Sequence, residues 1–333
     1  MNHSLPAISV LMTVFNAEAY LADSIETIQR QTFKDWEFII VDDASTDHSL
    51  TIAESYAEKD PRIKIIRNAI NKGQTHCLNQ GLVEARATWI ARQDADDLSH
   101  PERFEKQWQR IQQEPGLALL GTSGVLIDRS GKVIGLLDVP LTQELITWSV
   151  AIKNPFLHTA VMFRTEIARS LGGYDEHYQI VQDYDLWTRM IRQYRVANLS
   201  ERLVGYRHLE SSLSKSGKNK AFQEAHEISQ REEQNSFGRK LLPEERSLIQ
   251  AFREGAEMKQ QAAFLQLCKD LQPSFFSASK KITADQQRLE AVYHLQRAGS
   301  KNQNCYDQLR EVMAAFLAAP LYTLQWLKSR FFG

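Results

Sequence analysis

The sequence predicts an α/β fold in which a mainly parallel sheet carries helices on both faces. Short apolar runs alternate with amphipathic segments from residue 8 to about residue 113. The runs are rich in β-branched residues and nearly continuous in apolar character, which is typical of strands buried on both faces of a parallel sheet. Strands that alternate with helices in this way lie parallel and are joined by right-handed crossovers.

The first hundred residues supply four predicted strands and three predicted helices. Leu21, Ile25 and Ile28 recur at helical spacing, and Asn16 is expected to cap the helix that they form. The strands are expected at residues 8–15, 37–41, 63–66 and 88–93, and the helices at 16 to about 31, 46 or 47 to about 58, and 74–87.

The alternation loosens beyond Pro101. Strand-like runs on either side of a turn at residues 129–132 predict a hairpin added to the sheet. From about residue 214 Gln, Glu, Lys and Ala dominate, so we expect an α/β domain over residues 1–213 and a helical extension over residues 214–333. The remaining elements are expected as a helix to about 113, strands at 118–120, 124–127 and 160–163, a helix at 183–193, and a strand pair at 195–199 and 203–206.

Composition excludes several classes of protein. Lys and Arg number 40 and Asp and Glu 41, so the net charge of −1 favours no nucleic-acid partner. The three cysteines, Cys77, Cys268 and Cys305, form no C-x-x-C pair and favour a reducing, cytoplasmic setting. No signal peptide is expected in the short polar start, and no segment reaches the roughly 18 to 20 apolar residues of a membrane span.

An acidic cluster follows the fourth predicted strand. Asp94, Asp96 and Asp97 lie where the carboxyl ends of parallel strands bind ligands. Mg²⁺ and Mn²⁺ take oxygen ligands and commonly use one or two carboxylates together with substrate phosphates. The cluster therefore predicts a divalent-cation site, although Asp97 or Ser99 could instead cap the helix that opens near Pro101.

Small polar clusters follow the other predicted strands. A nucleotide needs carboxylates or backbone groups to bind its base and ribose, and a metal to neutralise its phosphates, and this edge of the sheet supplies both. Taken singly, each cluster could be an ordinary turn or cap; four together favour a nucleotide site. The clusters are residues 13–16, Asp42-Asp43, residues 71–73 and residues 94–97. The chain has no G-x-G-x-x-G after the first strand and no P-loop motif, so metal would hold the phosphates.

A second acidic motif opens the predicted helix at residues 183–193. A carboxylate on a rigid helix start could deprotonate an acceptor hydroxyl during attack on an anomeric carbon. The alternative is that Asp183 and Asp185 are helix N-terminal acids that the helix dipole favours.

These motifs together resemble the family 2 glycosyltransferases, whose fold is GT-A, a Rossmann-like mixed sheet. The resemblance covers residues 6 to 214. It rests on the ordered segments 8–16, 38–47, 71–73, 88–97, 154–156, 172–175 and 182–187.

The resemblance implies a role for each matching residue. The donor would be a nucleoside-diphosphate sugar, with a UDP-sugar favoured, and the reaction would invert the anomeric carbon. The implied roles are Asp42 and Asp43 for the base, Thr13, Phe15, Lys72 and Gly73 around the nucleotide, Asp94 for ribose and metal, Asp96 for metal, and Asp183 as catalytic base.

Three positions depart from the family pattern or stay open. Gln182 stands where the family often has Glu before its base, and His208 lies one place early in the Tyr-Arg-x-His ending. For His158 two roles stay open, packing within the protein and contact with the acceptor.

The expected enzyme is an inverting glycosyltransferase that uses Mn²⁺ or Mg²⁺. It would move sugar to a hydroxyl of a glycan or lipid-linked acceptor in cell-surface polysaccharide biosynthesis. A nucleotidyltransferase and a non-catalytic sugar-nucleotide-binding scaffold are the alternatives. The apolar tail at residues 312–327, followed by Lys328 and Arg330, could lie at the inner face of the plasma membrane or pack as a helix, including in a homodimer.

Overall fold

The computed structural model describes residues 5–209, residues 218–253 and Leu267. In this part of the chain nine strands form one sheet, in the order β3-β2-β1-β4-β8-β6-β9-β5, with β7 paired to β6. The strands are β1 (Ile8–Val14), β2 (Trp36–Asp42), β3 (Ile63–Arg67), β4 (Trp89–Arg92), β5 (Leu98–Ser99), β6 (Leu117–Ile127), β7 (Val133–Leu137), β8 (Met162–Arg164) and β9 (Arg195–Arg207).

The sheet is mixed and its first part is parallel. β1 pairs parallel with β2 and β4, and β2 pairs parallel with β3. β8 runs antiparallel between β4 and β6, while β6 and β9 are parallel over most of their length. Val14, Asp42 and Arg67 are register partners, so β1, β2 and β3 end level at one edge.

Helices cover both faces of the parallel strands. They are α1 (Leu21–Gln29), α2 (Ser49–Ala57), α3 (Gln74–Glu84), α4 (Arg103–Gln113), α5 (Gln143–Ser149), α6 (Thr165–Ser170), α7 (Gln182–Ile191), α8 (Lys218–Phe237) and α9 (Pro243–Arg253), with a short 3₁₀ helix at His158–Ala160. Side chains of a strand alternate between faces. On β1, Val10 packs in one apolar cluster with Ile25 of α1, whereas Leu11 lies against Gly81 of α3. The α/β prediction is therefore confirmed.

Three local predictions differ from the structure. Asn16 caps no helix: its φ is +51°, its side-chain oxygen accepts the backbone N–H of Thr46 at 2.8 Å, and α1 begins only at Leu21. Asp97 and Ser99 do not cap α4, since Ser99 belongs to β5 and the Asp97 carboxylate accepts the backbone N–H of Arg207 at 2.7 Å.

Four predicted strands are in fact two long ones. The runs at 118–120 and 124–127 both belong to β6, and the pair at 195–199 and 203–206 both belong to β9. β6 runs unbroken through Thr122 and Ser123, which look like an interruption in the sequence but are buried. β9 likewise runs through the exposed Ser200 and Glu201. β6 and β9 pair along their length, with register shifts at the polar residues. A search for apolar runs therefore divides each strand in two at these positions.

The chain divides into two compact units. The first contains Met1–Gln143 and Asn154–Ile228, and the second contains Glu144–Lys153 and Ser229–Gly333. In the second unit the Ser229 hydroxyl donates to the Ala151 carbonyl at 2.6 Å. The domain boundary at residues 213 and 214 stays a prediction. Within the described residues no helix has the length and apolarity needed to cross a membrane, and the tail at residues 312–330 lies outside them, as do Cys268 and Cys305.

Candidate active site

The loops after β1 and β2 are tied together at the edge where these strands end. Asn16 and Ala44 both adopt left-handed backbone conformations, with φ of +51° and +60°. The backbone N–H of Asn16 donates to the Ser45 hydroxyl at 3.1 Å, while the Asn16 side chain accepts from Thr46. Such conformations cost energy in residues other than glycine and persist where the surroundings impose them, which is common at functional sites.

Thr13 and Phe15 lie at this edge of the sheet. Thr13 is partly buried near the end of β1, and the Phe15 side chain is 51% exposed. An aromatic ring left open to solvent beside a cluster of carboxylates presents a flat apolar face to a ligand.

Asp42 and Asp43 have different environments. Asp42 is buried, its Oδ2 accepts from the backbone N–H of Ser45 at 3.3 Å, and its Oδ1 has no hydrogen-bond partner among the residues that the structure describes. Asp43 accepts from the Asn68 side chain at 2.9 Å and from two backbone N–H groups, of Lys72 at 2.9 Å and of Gly73 at 2.8 Å. Asp43 thus organises the loop after β3, whereas Asp42 keeps a free acceptor.

The electrostatics of Asp43 match this structural role. Burial acts to raise its pKa, but the hydrogen bonds from the Lys72 backbone and the Asn68 side chain outweigh burial, so the pKa lies below its usual value. Asp43 is therefore a stable anion that holds Lys72 and Gly73 at the start of α3.

α3 and α7 begin next to each other. Gly73 has a φ of +90° at the N-terminal end of α3, a conformation that glycine adopts without strain. The Gln182 side chain, in the first turn of α7, donates to the Gln74 side chain at 3.3 Å, and the Thr75 hydroxyl donates to the Tyr178 carbonyl at 2.9 Å. These contacts hold the first turn of α7, which carries Asp183, against the start of α3.

The acidic loop after β4 concentrates negative charge. Burial and the neighbouring charge of Asp94 raise the pKa of Asp96 to about 6. Burial, with the charges of Asp96 and Asp94, raises the pKa of Asp97 well above its usual value. Asp96 and Asp97 therefore ionise less readily than a free aspartate, and a nearby cation would favour their charged forms.

Three buried arginines surround this loop, and no motif in the sequence predicts them. Arg92 donates to Asp94 Oδ1 at 2.6 Å and to the Leu11 carbonyl at 2.8 Å. Arg103 donates to the Arg92 carbonyl at 3.0 Å, and Arg207 donates to the Asp96 carbonyl at 2.7 Å. The sequence does offer one indication of a buried ion pair. Arg92 interrupts an otherwise apolar strand, where an arginine is rare unless it is paired.

Asp183 is buried in the first turn of α7, where the Asn154 side chain donates to its Oδ2 at 2.7 Å. Burial, with a smaller effect of the charge on Asp94, raises its pKa to about 6, although hydrogen bonds from Tyr184 and Asn154 oppose the rise. Asp185 differs, because it forms an ion pair with Arg189 at 2.7 Å. The alternative of a helix N-terminal acid therefore suits Asp185. The carboxylate of Asp183 instead has a pKa suited to accepting a proton near neutral pH.

His158 packs behind the acidic loop. Its Nε2 accepts from Arg92 Nε at 3.2 Å and lies 3.2 Å from the Tyr174 hydroxyl. Burial, with the charge of Arg92, lowers its pKa well below the usual value, so the ring is neutral. For His208, the backbone N–H donates to the Ile127 carbonyl at 2.8 Å and continues the sheet.

No set of three or more His, Cys, Asp or Glu side chains forms a metal cage in the described residues. Asp94 and Asp96 nevertheless fit a hard divalent cation. They are two neighbouring carboxylates, and burial together with the charge of Asp94 raises the pKa of Asp96. A hard divalent ion takes its other ligands from phosphate and water.

Comparison with known proteins identifies the class of enzyme. The family model described as glycosyl transferase family 2 matches residues 9–148. EpsE of Bacillus subtilis (strain 168), named as a glycosyltransferase, is 40% identical over 209 residues, which are 62% of this chain and 74% of EpsE. The O-antigen biosynthesis glycosyltransferase WbnJ of Escherichia coli is 35% identical over 218 residues, 64% of this chain and 84% of WbnJ. The chain belongs to glycosyl transferase family 2 and is a glycosyltransferase, as the resemblance predicted.

Solved structures show the same fold. S. aureus TarS 1-349 in complex with UDP-GlcNAc has a TM-score of 0.57 at 17% identity, with 93% of this chain and 90% of that chain covered. The mannosyltransferase PcManGT from Pyrobaculum calidifontis, in complex with GDP-Man and Mn²⁺, has a TM-score of 0.53 at 17% identity, with coverage of 96% and 88%. The GT-A prediction is confirmed.

Proposed function

We propose that this glycosyltransferase inverts the anomeric carbon and transfers sugar from a nucleoside-diphosphate sugar to a hydroxyl of a glycan or lipid-linked acceptor. The observation that carries the proposal is the Asp183 carboxylate. It is buried at the edge that also holds the acidic loop, and burial raises its pKa to about 6. A carboxylate with this pKa is ionised at neutral pH and still accepts a proton readily.

The donor's nucleoside would bind over the ends of β1, β2 and β3. Asp43, with Asp42 beside it, would bind the base, and the exposed ring of Phe15 would lie against the base or ribose. Thr13, Lys72 and Gly73 would border the nucleotide. A UDP-sugar is the favoured donor, because TarS was solved with UDP and with UDP-GlcNAc, although PcManGT was solved with GDP-Man.

Asp94 and Asp96 would hold Mn²⁺ or Mg²⁺, with Asp94 also near the ribose. When bound, the ion would neutralise the diphosphate that leaves. The protein itself contributes the fixed position of the loop, because Arg92 holds the Asp94 carboxylate and Arg207 holds the Asp96 backbone.

The reaction proposed is one direct displacement. Asp183 takes the proton of the acceptor hydroxyl as that oxygen forms its bond to the anomeric carbon. The bond from the carbon to the diphosphate oxygen breaks, and the electron pair leaves with the nucleoside diphosphate. Asn154 donates to Asp183 Oδ2 and thereby helps to orient the carboxylate.

The relatives suggest the pathway. Their names include O-antigen biosynthesis for WbnJ and amylovoran biosynthesis for AmsE of Erwinia amylovora. We therefore place this enzyme in surface-polysaccharide biosynthesis, in the cytoplasm and at the inner face of the plasma membrane. Contact of the C-terminal helices with membrane or with a second subunit is part of this proposal.

The Asp183→Asn variant tests the base. Transfer should fall by about a thousandfold or more while donor affinity, measured by calorimetry, stays within about twofold. Asp35→Asn, at an exposed acid, is the matched control. Chromatography of the products separates the reaction classes, because glycosyl transfer releases a nucleoside diphosphate and nucleotidyl transfer releases pyrophosphate. Normal turnover in Asp183→Asn would remove the base assignment.

A further inference from the structure

The carboxylate of Glu224 accepts hydrogen bonds from the backbone that precedes Asp183, the proposed catalytic base, in the chain. Three consecutive N–H groups, at residues 179–181, donate to Glu224: Gln179 to Oε1 at 3.2 Å, and Ile180 and Val181 to Oε2 at 3.1 and 3.3 Å. Glu224 is 6% exposed and comes from α8, more than forty residues further along the chain. Val181 is the residue before α7 and has no side-chain cap of its own.

Residues next to Glu224 on α8 also bind the side chains of Tyr178 and Gln179. The Tyr178 hydroxyl donates to Glu227 at 2.9 Å, and Lys220 donates to the Gln179 side chain at 2.6 Å. From the other side, Thr75 of α3 donates to the Tyr178 carbonyl. The segment from residue 178 to residue 181 is therefore anchored between α3 and α8.

This anchoring determines where α7 begins. The N–H groups before a helix have no partner within the helix, so an external acceptor must satisfy them. A buried carboxylate also complements the positive end of the helix dipole. Asp183 stands two residues beyond Val181, and its side chain moves with the first turn of α7.

We propose that Glu224 is a positioning residue for the catalytic base: it fixes residues 179–181 and thereby the place of Asp183 relative to the acceptor. The inference rests on the proposed role of Asp183. It extends the catalytic machinery beyond residue 213 into the first half of α8, which belongs to the same compact unit as the sheet.

Two substitutions test this role. Glu224→Ala removes every acceptor, whereas Glu224→Gln keeps one side-chain oxygen for the three N–H groups. The control is Gln223→Ala, at the exposed neighbouring position of α8. We expect kcat to fall about tenfold or more in Glu224→Ala, because a displacement near 1 Å already costs much of the rate. Glu224→Gln should recover part of kcat, and the donor Kd should stay within about twofold in both variants, since donor binding does not use the base.

Hydrogen exchange gives the direct readout. In Glu224→Ala the amides of residues 179–181 should lose protection, while the strands keep theirs and the control variant exchanges as the wild type does. Unchanged kcat, unchanged exchange at residues 179–181, or equal losses of kcat and donor affinity in both Glu224 variants would overturn the inference.

The Asp183→Asn variant distinguishes failure of the positioning role of Glu224 from failure of the proposed function. If Asp183→Asn is inactive and Glu224→Ala is fully active, Asp183 is the base and Glu224 does not position it. If Asp183→Asn is active, the base assignment itself is wrong and the positioning role is lost with it.

Discussion

The side-chain amide of Asn154 donates to Oδ2 of Asp183 at 2.7 Å, and its own oxygen accepts the backbone N–H of Phe156 at 3.2 Å. Asn154 is thus held by the turn that follows it and presents its N–H to one oxygen of the Asp183 carboxylate. A hydrogen bond to the charged form of a carboxyl lowers its pKa, so Asn154 opposes the effect of burial on Asp183.

Asn154→Ala should move the acid limb of the pH profile. Without the Asn154 hydrogen bond, less opposes the effect of burial on the Asp183 carboxylate. The pKa of Asp183 should therefore rise further above about 6, by about one unit. The limb of kcat/KM on which activity is lost as pH falls should move to higher pH by the same amount. A limb that stays in place while activity falls at every pH would contradict this.

Asp183→Asn should stabilise the folded protein at neutral pH. Burial raises the pKa of Asp183 from 3.8 to about 6, so ionisation disfavours the folded state increasingly from pH 3.8 to pH 6 and to its full extent above pH 6. The amide carries no charge, and the gain should be about 3 kcal/mol at pH 7.5 and smaller at pH 4.5. Urea unfolding at pH 7.5 and 4.5 measures it, with Asp35→Asn as control. A variant that is less stable than the wild type at pH 7.5 would refute the prediction.

Asp96→Asn should remove the metal-dependent part of donor binding. With wild-type protein, Mn²⁺ should increase the rise in Tm that UDP produces, because ligands that bind the folded state stabilise it. In Asp96→Asn the rise with Mn²⁺ should equal the rise in EDTA, whereas Asp35→Asn should behave as the wild type. A wild-type rise that is the same in EDTA and Mn²⁺ would instead show that the acidic loop holds no metal.

Ala44→Gly should increase stability. Ala44 has a φ of +60°, which costs a residue with a Cβ about 1 kcal/mol and costs glycine nothing. Part of the gain is lost to the entropy of the unfolded chain, so we expect about 0.5 kcal/mol from denaturant unfolding. The matched substitution is Ala57→Gly in helical α2, which should lower stability by up to about 1 kcal/mol. The same sign for both would contradict the conformational argument.

The sequence predicted what depends on local pattern. Strand ends, and with them the edge that holds Asp42 and Asp94, follow from apolar runs and the residues after them. The continuity of β9 through Ser200 was not predictable, because pairing with β6 outweighs the polar interruption.

Partners from distant parts of the chain were also beyond prediction. Glu224 and Asn154 carry no motif, and only the folded chain brings them to the region of Asp183. The difference between Asp42 and Asp43 arises in the same way: the donors that occupy Asp43 come from the loop after β3.

The free Oδ1 of Asp42 has a consequence for nucleobase choice. A buried carboxylate oxygen can only accept a hydrogen bond, and leaving it unmet costs free energy. This oxygen is covered by protein, so a base placed beside Asp42 would meet it only after the side chain turns. Uracil and guanine would then offer a ring N–H, whereas cytosine and adenine offer N–H groups only on their exocyclic amines. Asp42 would therefore favour UDP- and GDP-sugars over CDP- and ADP-sugars.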